Sequence, residues 1–203
     1  MGRARDIANV LSSSTNIALD SELGLSLITP TSIANTGGTS SISATGAVTF
    51  TSASAISLNG VFSSTYRNYR AIVNFSGSTA GTLGLRFRTS GTDNTNGTPS
   101  GYYWAGGYLY QQGASITSNT SNYNNIGRVS RYDTGAGATT FDIMDPFTSG
   151  AATSTFGFST GGGANWESLM NYYADGAIIF DGFSLIASTG TVTGVIRVYG
   201  YRN

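Results

Sequence analysis

Five carboxylates in the second half of the chain, Asp142, Asp145, Glu167, Asp175 and Asp181, are the residues whose type could support catalysis. Two carboxyl groups about 5 to 9 Å apart across a cleft would suit glycoside hydrolysis, one donating a proton to the leaving oxygen while the other attacks or activates water. Their placement argues against that use. FDIMDP and YYADG read as strand ends and turns, and acids scattered over several strands are what a solvated surface supplies. The chain has no Cys and no His, which removes thiol nucleophiles, most zinc and copper sites and the commonest base near neutral pH. The expectation is a protein that is not an enzyme and takes no cofactor.

Oxygen ligands gather once more in SGTDNTNGTPSG, where Asp93, Asn94 and Asn96 stand close together. Their spacing does not match a calcium loop and one carboxylate binds weakly, so no metal is expected and the segment reads as an exposed, receptor-facing loop. The arginines come in pairs: Arg67 with Arg70, Arg86 with Arg88, Arg128 with Arg131. Guanidinium forks match the carboxylates or sulfates of acidic glycans, but ion pairing with the scattered acids is the preferred reading. The glycines Gly161 to Gly163 lie between strand patterns rather than before a helix, so they form a turn and not a phosphate cradle.

The aromatic stretch GYYWAGGYLYQQ, residues 101 to 112, carries no charge. As a strand it puts Tyr102, Trp104, Tyr108 and Tyr110 on one face, more rings than one strand ordinarily gives a core. Three readings stay open: a subunit interface, plain core, or a glycan-binding face, since Tyr and Trp suit all of them.

Composition sets the class. Charged residues make up 10% of 203, the formal net charge is zero and every cation is an Arg, so nucleic acid is not an expected partner. No apolar run reaches the ~18 residues of a membrane span, and MGRARDIANVL lacks the apolar segment of a secretory signal, so neither membrane insertion nor export by that route is expected. Aromatics at 12% among abundant Gly, Ser, Thr and Asn indicate a folded β protein with many turns.

The elements follow from periodicity. Residues 2–11 form the one expected helix, Ile7, Val10 and Leu11 at helical spacing with Arg3 and Arg5 elsewhere on the cylinder. So short a helix needs a partner surface. Period-two segments follow at 47–51, 55–62, 69–75 and 83–88, where Leu83, Leu85 and Phe87 face inward and Arg86 and Arg88 outward. Further strands are expected at 102–111, 125–132, 139–144, 154–159, 166–173, 177–186 and 191–201. The fold class is therefore all-β, an antiparallel β-sandwich or jelly roll preceded by a short N-terminal helix and extended arm. Its parts are an arm at 1–30, an extended linker at 31–43 and the sandwich at 44–203.

Two stretches carry a resemblance. MGRARDIANVLSSSTNIALDSEL resembles the N-terminal arms of small structural proteins of tailed bacteriophages, particularly those of cyanobacterial and other aquatic hosts. SLNGVFSSTYRNYR, Ser57 to Arg70, continued by LRFRTSGTDN, is similar to the opening of a sandwich domain in tail-fibre-like virion proteins. The resemblance covers the N-terminal half, and the remainder shares only its style. It implies a virion component, commonly a homotrimer, that docks onto another virion protein through Arg3, Arg5, Ile7, Val10 and Leu11 and points its sandwich outward toward host-surface glycan. The implied role is a short tail fibre or tail-tip appendage, with a capsid decoration protein and a carbohydrate-binding module as alternatives. The chain has no heptad stalk or triple β-helix repeat, which speaks against a long fibre.

Overall fold

The computed structural model describes residues 24–95, 102–110, 116–124, 126–161, 165–173 and 178–202; within 102–110, 116–124 and 165–172 it describes the strand backbone and its pairing. The expected helix, with Arg3, Arg5, Ile7, Val10 and Leu11, lies outside the described residues, as does Asn96.

No helix occurs among the described residues, and every strand pairing is antiparallel. The strands are β1 (Leu25–Ile28), β2 (Ser32–Thr36), β3 (Thr39–Ile42), β4 (Val48–Ala53), β5 (Ala55–Asn59), β6 (Asn68–Gly77), β7 (Gly81–Thr89) and β8 (Thr92–Asp93). They continue as β9 (Tyr102–Tyr110), β10 (Ile116–Asn124), β11 (Gly127–Tyr132), β12 (Ala136–Met144), β13 (Thr153–Thr160), β14 (Asn165–Tyr173), β15 (Gly182–Ala187) and β16 (Val192–Tyr201). One sheet of ten strands runs β10-β9-β14-β13-β12-β6-β16-β4-β3, with β1 also on β16; a second of six runs β11-β7-β15-β5-β2, with β8 on β7. The two layers form a sandwich.

Alternation explains the layering. Along β6, Tyr69, Ala71, Val73 and Phe75 are buried while Asn68, Arg70, Ile72 and Asn74 are not, the pattern of a strand with one dry and one wet face. The second sheet answers with Ile56, Leu58, Leu83, Leu85, Phe87, Phe183 and Leu185, all at most 1% exposed. Between the layers Phe62 lies 4.8 Å from Tyr69 and 5.9 Å from Phe183, which meets Phe141 edge-on at 6.2 Å. These are favourable separations for aromatic pairs.

The chain changes sheet repeatedly. Ser54 alone separates β4 from β5, which lie in different layers, and Gly37 with Gly38 carries the chain from β2 to β3 across the edge. Both glycines have positive φ, 69° and 56°, and a Cβ on Gly38 would lie 1.8 Å from the Thr51 carbonyl oxygen, so no other residue fits there. The segment expected as a linker at 31–43 thus supplies a strand to each sheet, and the described sheets begin at Leu25. SIANT and TSSI carry too few apolar residues to announce strands; pairing with β5 and β4 extends them.

Two expectations change. The strand expected over 177–186 starts only at Gly182, because Phe180 is drawn into the core, stacked on Phe87 at 4.9 Å and edge-on to Tyr173 at 5.2 Å. Asp181 then spends its backbone carbonyl on the amides of Val61 and Phe62, at 2.9 and 3.1 Å. Arg88, expected on the wet face, is only 8% exposed, closed over by the turn into β8. Its guanidinium donates to Asn59 Oδ1 at 2.8 Å, Ser57 Oγ at 3.1 Å, Ser184 Oγ at 2.9 Å, the Asp93 carboxylate and the Gly91 carbonyl. A buried guanidinium needs such a set of acceptors.

Phe183, touching Phe141 of the opposite sheet and Phe62 of the connection between β5 and β6, is the residue whose loss should open a large cavity. Phe183→Ala is expected to lower the unfolding free energy by about 3 to 5 kcal/mol in urea titrations followed by tyrosine fluorescence.

Candidate functional site

The outer face of the ten-stranded sheet is built from register. One row across neighbouring strands reads Phe156, Asp142, Arg70, Tyr199 and Leu27, from β13 through β12, β6 and β16 to β1. The next reads Phe158, Thr140, Ile72 and Arg197, and a third Thr160, Ala138, Asn74, Val195, Thr49 and Ser41. None of these side chains is buried.

β13 stands apart because its pattern is reversed. In TSTFGFST the hydroxyl residues Thr153, Thr155 and Ser159 are buried, and Phe156 and Phe158 point to solvent, 45% and 57% exposed. Leaving a Phe side chain in water forgoes roughly 1.5 to 3 kcal/mol relative to burying it. Among the inward hydroxyls, Thr139 donates to the Val129 carbonyl across the sandwich at 2.9 Å, whereas Ser159 opposite it is buried with no hydrogen-bond partner among the described residues. The two Phe rings meet edge-on, centroids 5.1 Å apart and planes at 84°, forming a small apolar platform.

Beside it lies a fixed polar group. Arg70 donates from Nε to Asp142 Oδ1 at 2.7 Å and from Nη2 to Oδ2 at 2.9 Å, a bidentate pair, and the Tyr201 hydroxyl donates to the same Oδ1 at 2.6 Å. The Arg70 guanidinium carbon also sits 5.5 Å from the centroid of the Tyr201 ring. Burial raises the Asp142 carboxyl, but the hydrogen bonds from Arg70 and Tyr201 and the Arg70 charge outweigh it and hold the group below the usual carboxylate range. Burial first, then the hydrogen bond to Asp142, pushes the Tyr201 phenol up to about 12. Asp142 is thus an ionised acceptor committed to two donors, a poor candidate for a general acid.

The described acids Asp145 and Asp181 also make contacts within the fold. Asp145 pairs with Arg67 at 2.6 Å, and Asp181 accepts from the Ser90 amide at 2.9 Å through Oδ2, its Oδ1 being buried with no hydrogen-bond partner among the described residues. The side chain of Glu167, and Asp175 altogether, lie outside the described residues. Asp93 holds Arg88 and accepts from Ser184 Oγ at 2.6 Å, while Asn94 donates to the Tyr173 hydroxyl at 2.6 Å. Asp93, on β8, and Asn94 are therefore engaged within the fold. Among the described residues no group of three or more His, Cys, Asp or Glu is placed to hold a metal ion.

Register also positions the aromatic strand, although the side chains of Tyr102, Trp104, Tyr108 and Tyr110 lie outside the described residues. β9 is flanked by β14 and β10, so it is an interior strand. Tyr102 stands opposite Tyr173, which is fully buried, and Trp104, Tyr108 and Tyr110 stand opposite Asn171, Glu167 and Asn165. A separate cleft of about 300 Å³ is lined by Gly81, Thr82, Arg131, Tyr132 and Asp133. The Tyr132 hydroxyl there is already held by both backbone groups of Thr189.

Sequence reasoning missed Phe156 and Phe158. The signal was available in the alternation of TSTFGFST, but which phase faces water depends on β12 and β14, not on β13 alone.

No family model matches the sequence, and no curated protein does. Among solved structures, the chain is similar to a mutant of the alginate lyase Aly36B in complex with alginate tetrasaccharide, at 8% identity over 86% of this chain and 96% of that one, with a TM-score of 0.32. It is also similar to the marine PL-14 alginate lyase from Aplysia kurodai, at 9% identity over 87% and 80%, TM-score 0.35. The carbohydrate binding module CBM66 from Bacillus subtilis gives 10% identity over 82% and 96%, TM-score 0.28. Values this low transfer neither fold nor function from one chain to another.

The Arg70, Asp142 and Tyr201 contacts set a pH dependence. A raised phenol contributes stability that is complete below the unfolded value of ~10 and is lost as pH climbs through the folded one. Urea midpoints of the wild type should therefore fall between that value and about 12, and less steeply in Tyr201→Phe. Asp142 acts at the other end: its contribution is present above the unfolded value of ~3.9 and disappears as pH falls through its depressed folded one.

Proposed function

We propose that this protein is a non-enzymatic glycan-binding component of a phage particle, its sandwich turned outward so that the outer face of the ten-stranded sheet meets host-surface carbohydrate. The observation that carries the reading is the reversed phase of β13, which presents Phe156 and Phe158 to water beside a polar group already fixed in place. Sugars have apolar C–H faces and a rim of hydroxyls, so a ring platform flanked by oriented donors and acceptors suits them. The virion setting rests on the resemblance of residues 1–23 and of SLNGVFSSTYRNYR to phage structural proteins. In that setting the chain is a short tail appendage with jelly-roll winding, assembled as a homotrimer through the aromatic strand and anchored by the N-terminal arm.

A decoration protein on the capsid would use the same two ends of the chain. Copy number on the particle separates the two: a few multiples of three on the tail, against tens to hundreds on the head.

The test of glycan binding is an array of bacterial surface polysaccharides probed with wild type and with the double variant Phe156→Ala, Phe158→Ala. Exposed positions away from the core cost little stability, within about 0.5 kcal/mol each, so the variant should fold. Wild type should give a signal that the variant loses. A silent wild type, or an equal signal from both proteins, sinks the reading.

A further inference from the structure

The rows beside the phenylalanine platform carry one charge that the fold does not use. Arg67 pairs with Asp145, Arg70 with Asp142 and Arg88 with Asp93, while Arg202 donates to Ser26 Oγ at 2.6 Å. Arg197 differs. Half-buried on β16, it makes no hydrogen bond and no ion pair within the fold, and among the described arginines it alone is free. It lies on the row Phe158, Thr140, Ile72, Arg197, directly across from Ile72 and three strands from Phe158.

Among the described residues its surroundings hold no competing anion. The neighbouring outward positions are Tyr199 and Val195 on its own strand, with Arg70, Ile72 and Asn74 on β6. The carboxylate on these rows, Asp142, is taken up by Arg70 and Tyr201. Counting Arg70, Arg197 and Asp142, the rows between β13 and β16 carry one unit of excess positive charge at a guanidinium whose donors are unspent. A guanidinium fork matches a carboxylate in geometry as well as charge.

Resting on the carbohydrate reading of this face, we infer that its ligand is an acidic polysaccharide with carboxylated sugar units, one carboxylate paired with Arg197 and the sugar rings running along the row to pack on Phe158 and Phe156. Strands lie ~4.8 Å apart, so the row from Arg197 to Phe158 spans about 14 Å, roughly the length of three linked pyranose units. The sheet backbone holds both ends of the row, which keeps the spacing rigid. Thr140 lies between them on the row and Asn74 on the row beside it, both exposed, with hydroxyl and amide groups to offer the sugar hydroxyls.

The experiment is calorimetric titration of the full chain with an unbranched uronic-acid hexamer, with the same hexamer after carboxyl reduction to the neutral sugar, and with a glutamate hexapeptide. The acidic sugar should bind at least about tenfold more tightly than the neutral one, the peptide should not bind, and added salt should erode the preference. Arg197→Gln should bring the acidic sugar down to the neutral one's affinity, Arg197→Lys should recover part of the gap, and Phe158→Ala should weaken both sugars. Unchanged urea midpoints keep these comparisons interpretable as binding effects. Equal affinity for the two sugars, or an Arg197→Gln variant that keeps the preference, overturns the acidic assignment while leaving the carbohydrate reading intact. Binding of the peptide as tightly as the acidic sugar overturns it as a mere charge effect. Failure of both sugars to bind removes the carbohydrate reading itself and this inference with it.

Discussion

The contact of Phe183 with Phe62 on one side and Phe141 on the other is where the two sheets lock, and the remaining architecture can be derived from it. A sandwich is held together by side chains that interdigitate across a layer about 10 Å thick, so each strand must send alternate residues into that space. β6, β7 and β15 do this with Val, Leu, Phe and Tyr. With the layer filled by large residues along those strands, the strands beside them face a fixed gap. β12 and β13 fit it with Thr139, Thr155 and Ser159 at inward positions; Thr139 spends its hydroxyl on the Val129 carbonyl, while the Ser159 hydroxyl is buried with no hydrogen-bond partner among the described residues.

That local economy in the interior has a consequence on the surface. Because strand residues alternate strictly, putting hydroxyls and Gly157 inward along TSTFGFST forces Phe156 and Phe158 outward. A Cβ on Gly157 would come within 2.4 Å of the Thr140 carbonyl oxygen, so this strand packs closely on β12 and its phase has no slack. The exposed pair is therefore set by backbone register, and each ring has the other as an edge-on neighbour. Arg70, Asp142 and Tyr201 are similarly placed by pairing: Asp142 stands directly opposite Arg70, and the last residue of β16 reaches the same carboxylate.

Strands rich in apolar residues at period two were legible from the sequence. Residues 69–75, 83–88 and 191–201 fall within β6, β7 and β16 apart from a residue at one end, since YRAIVNF and LGLRFR can bury one face in only one way. The polar strands β2, β3 and β10 were not, because SIANT, TSSI and ITSNTSNYN hold their extended form through partners distant in the chain. Arg88 shows the same limit for side chains. Its alternation with Leu85 and Phe87 correctly put it on the outer face, but its enclosure depends on Ser57, Asn59, Asp93 and Ser184, which only the folded sheet assembles. For the candidate site, the arginine pairs and Asp142 were visible as residue types. Which guanidinium would be spent internally and which left free was decided by cross-strand neighbours.

A face of this kind has an energetic advantage over a site made of loops. Its rings and charges sit on the central strands of a ten-stranded sheet, so little backbone ordering is needed when a ligand arrives, and ordering costs are what most erode affinity. The bidentate Arg70 and Asp142 pair, braced by the Tyr201 hydroxyl and ring, spares those side chains the rotamer freedom they would otherwise lose on binding. What stays adaptable is Arg197, whose long side chain can follow a ligand while its Cα is fixed by pairing to both β6 and, next along the strand, β4. In the proposed complex, rigid apolar contact at one end and the longer Arg197 side chain at the other would let the sheet fix the ligand's position while the arginine selects its charge.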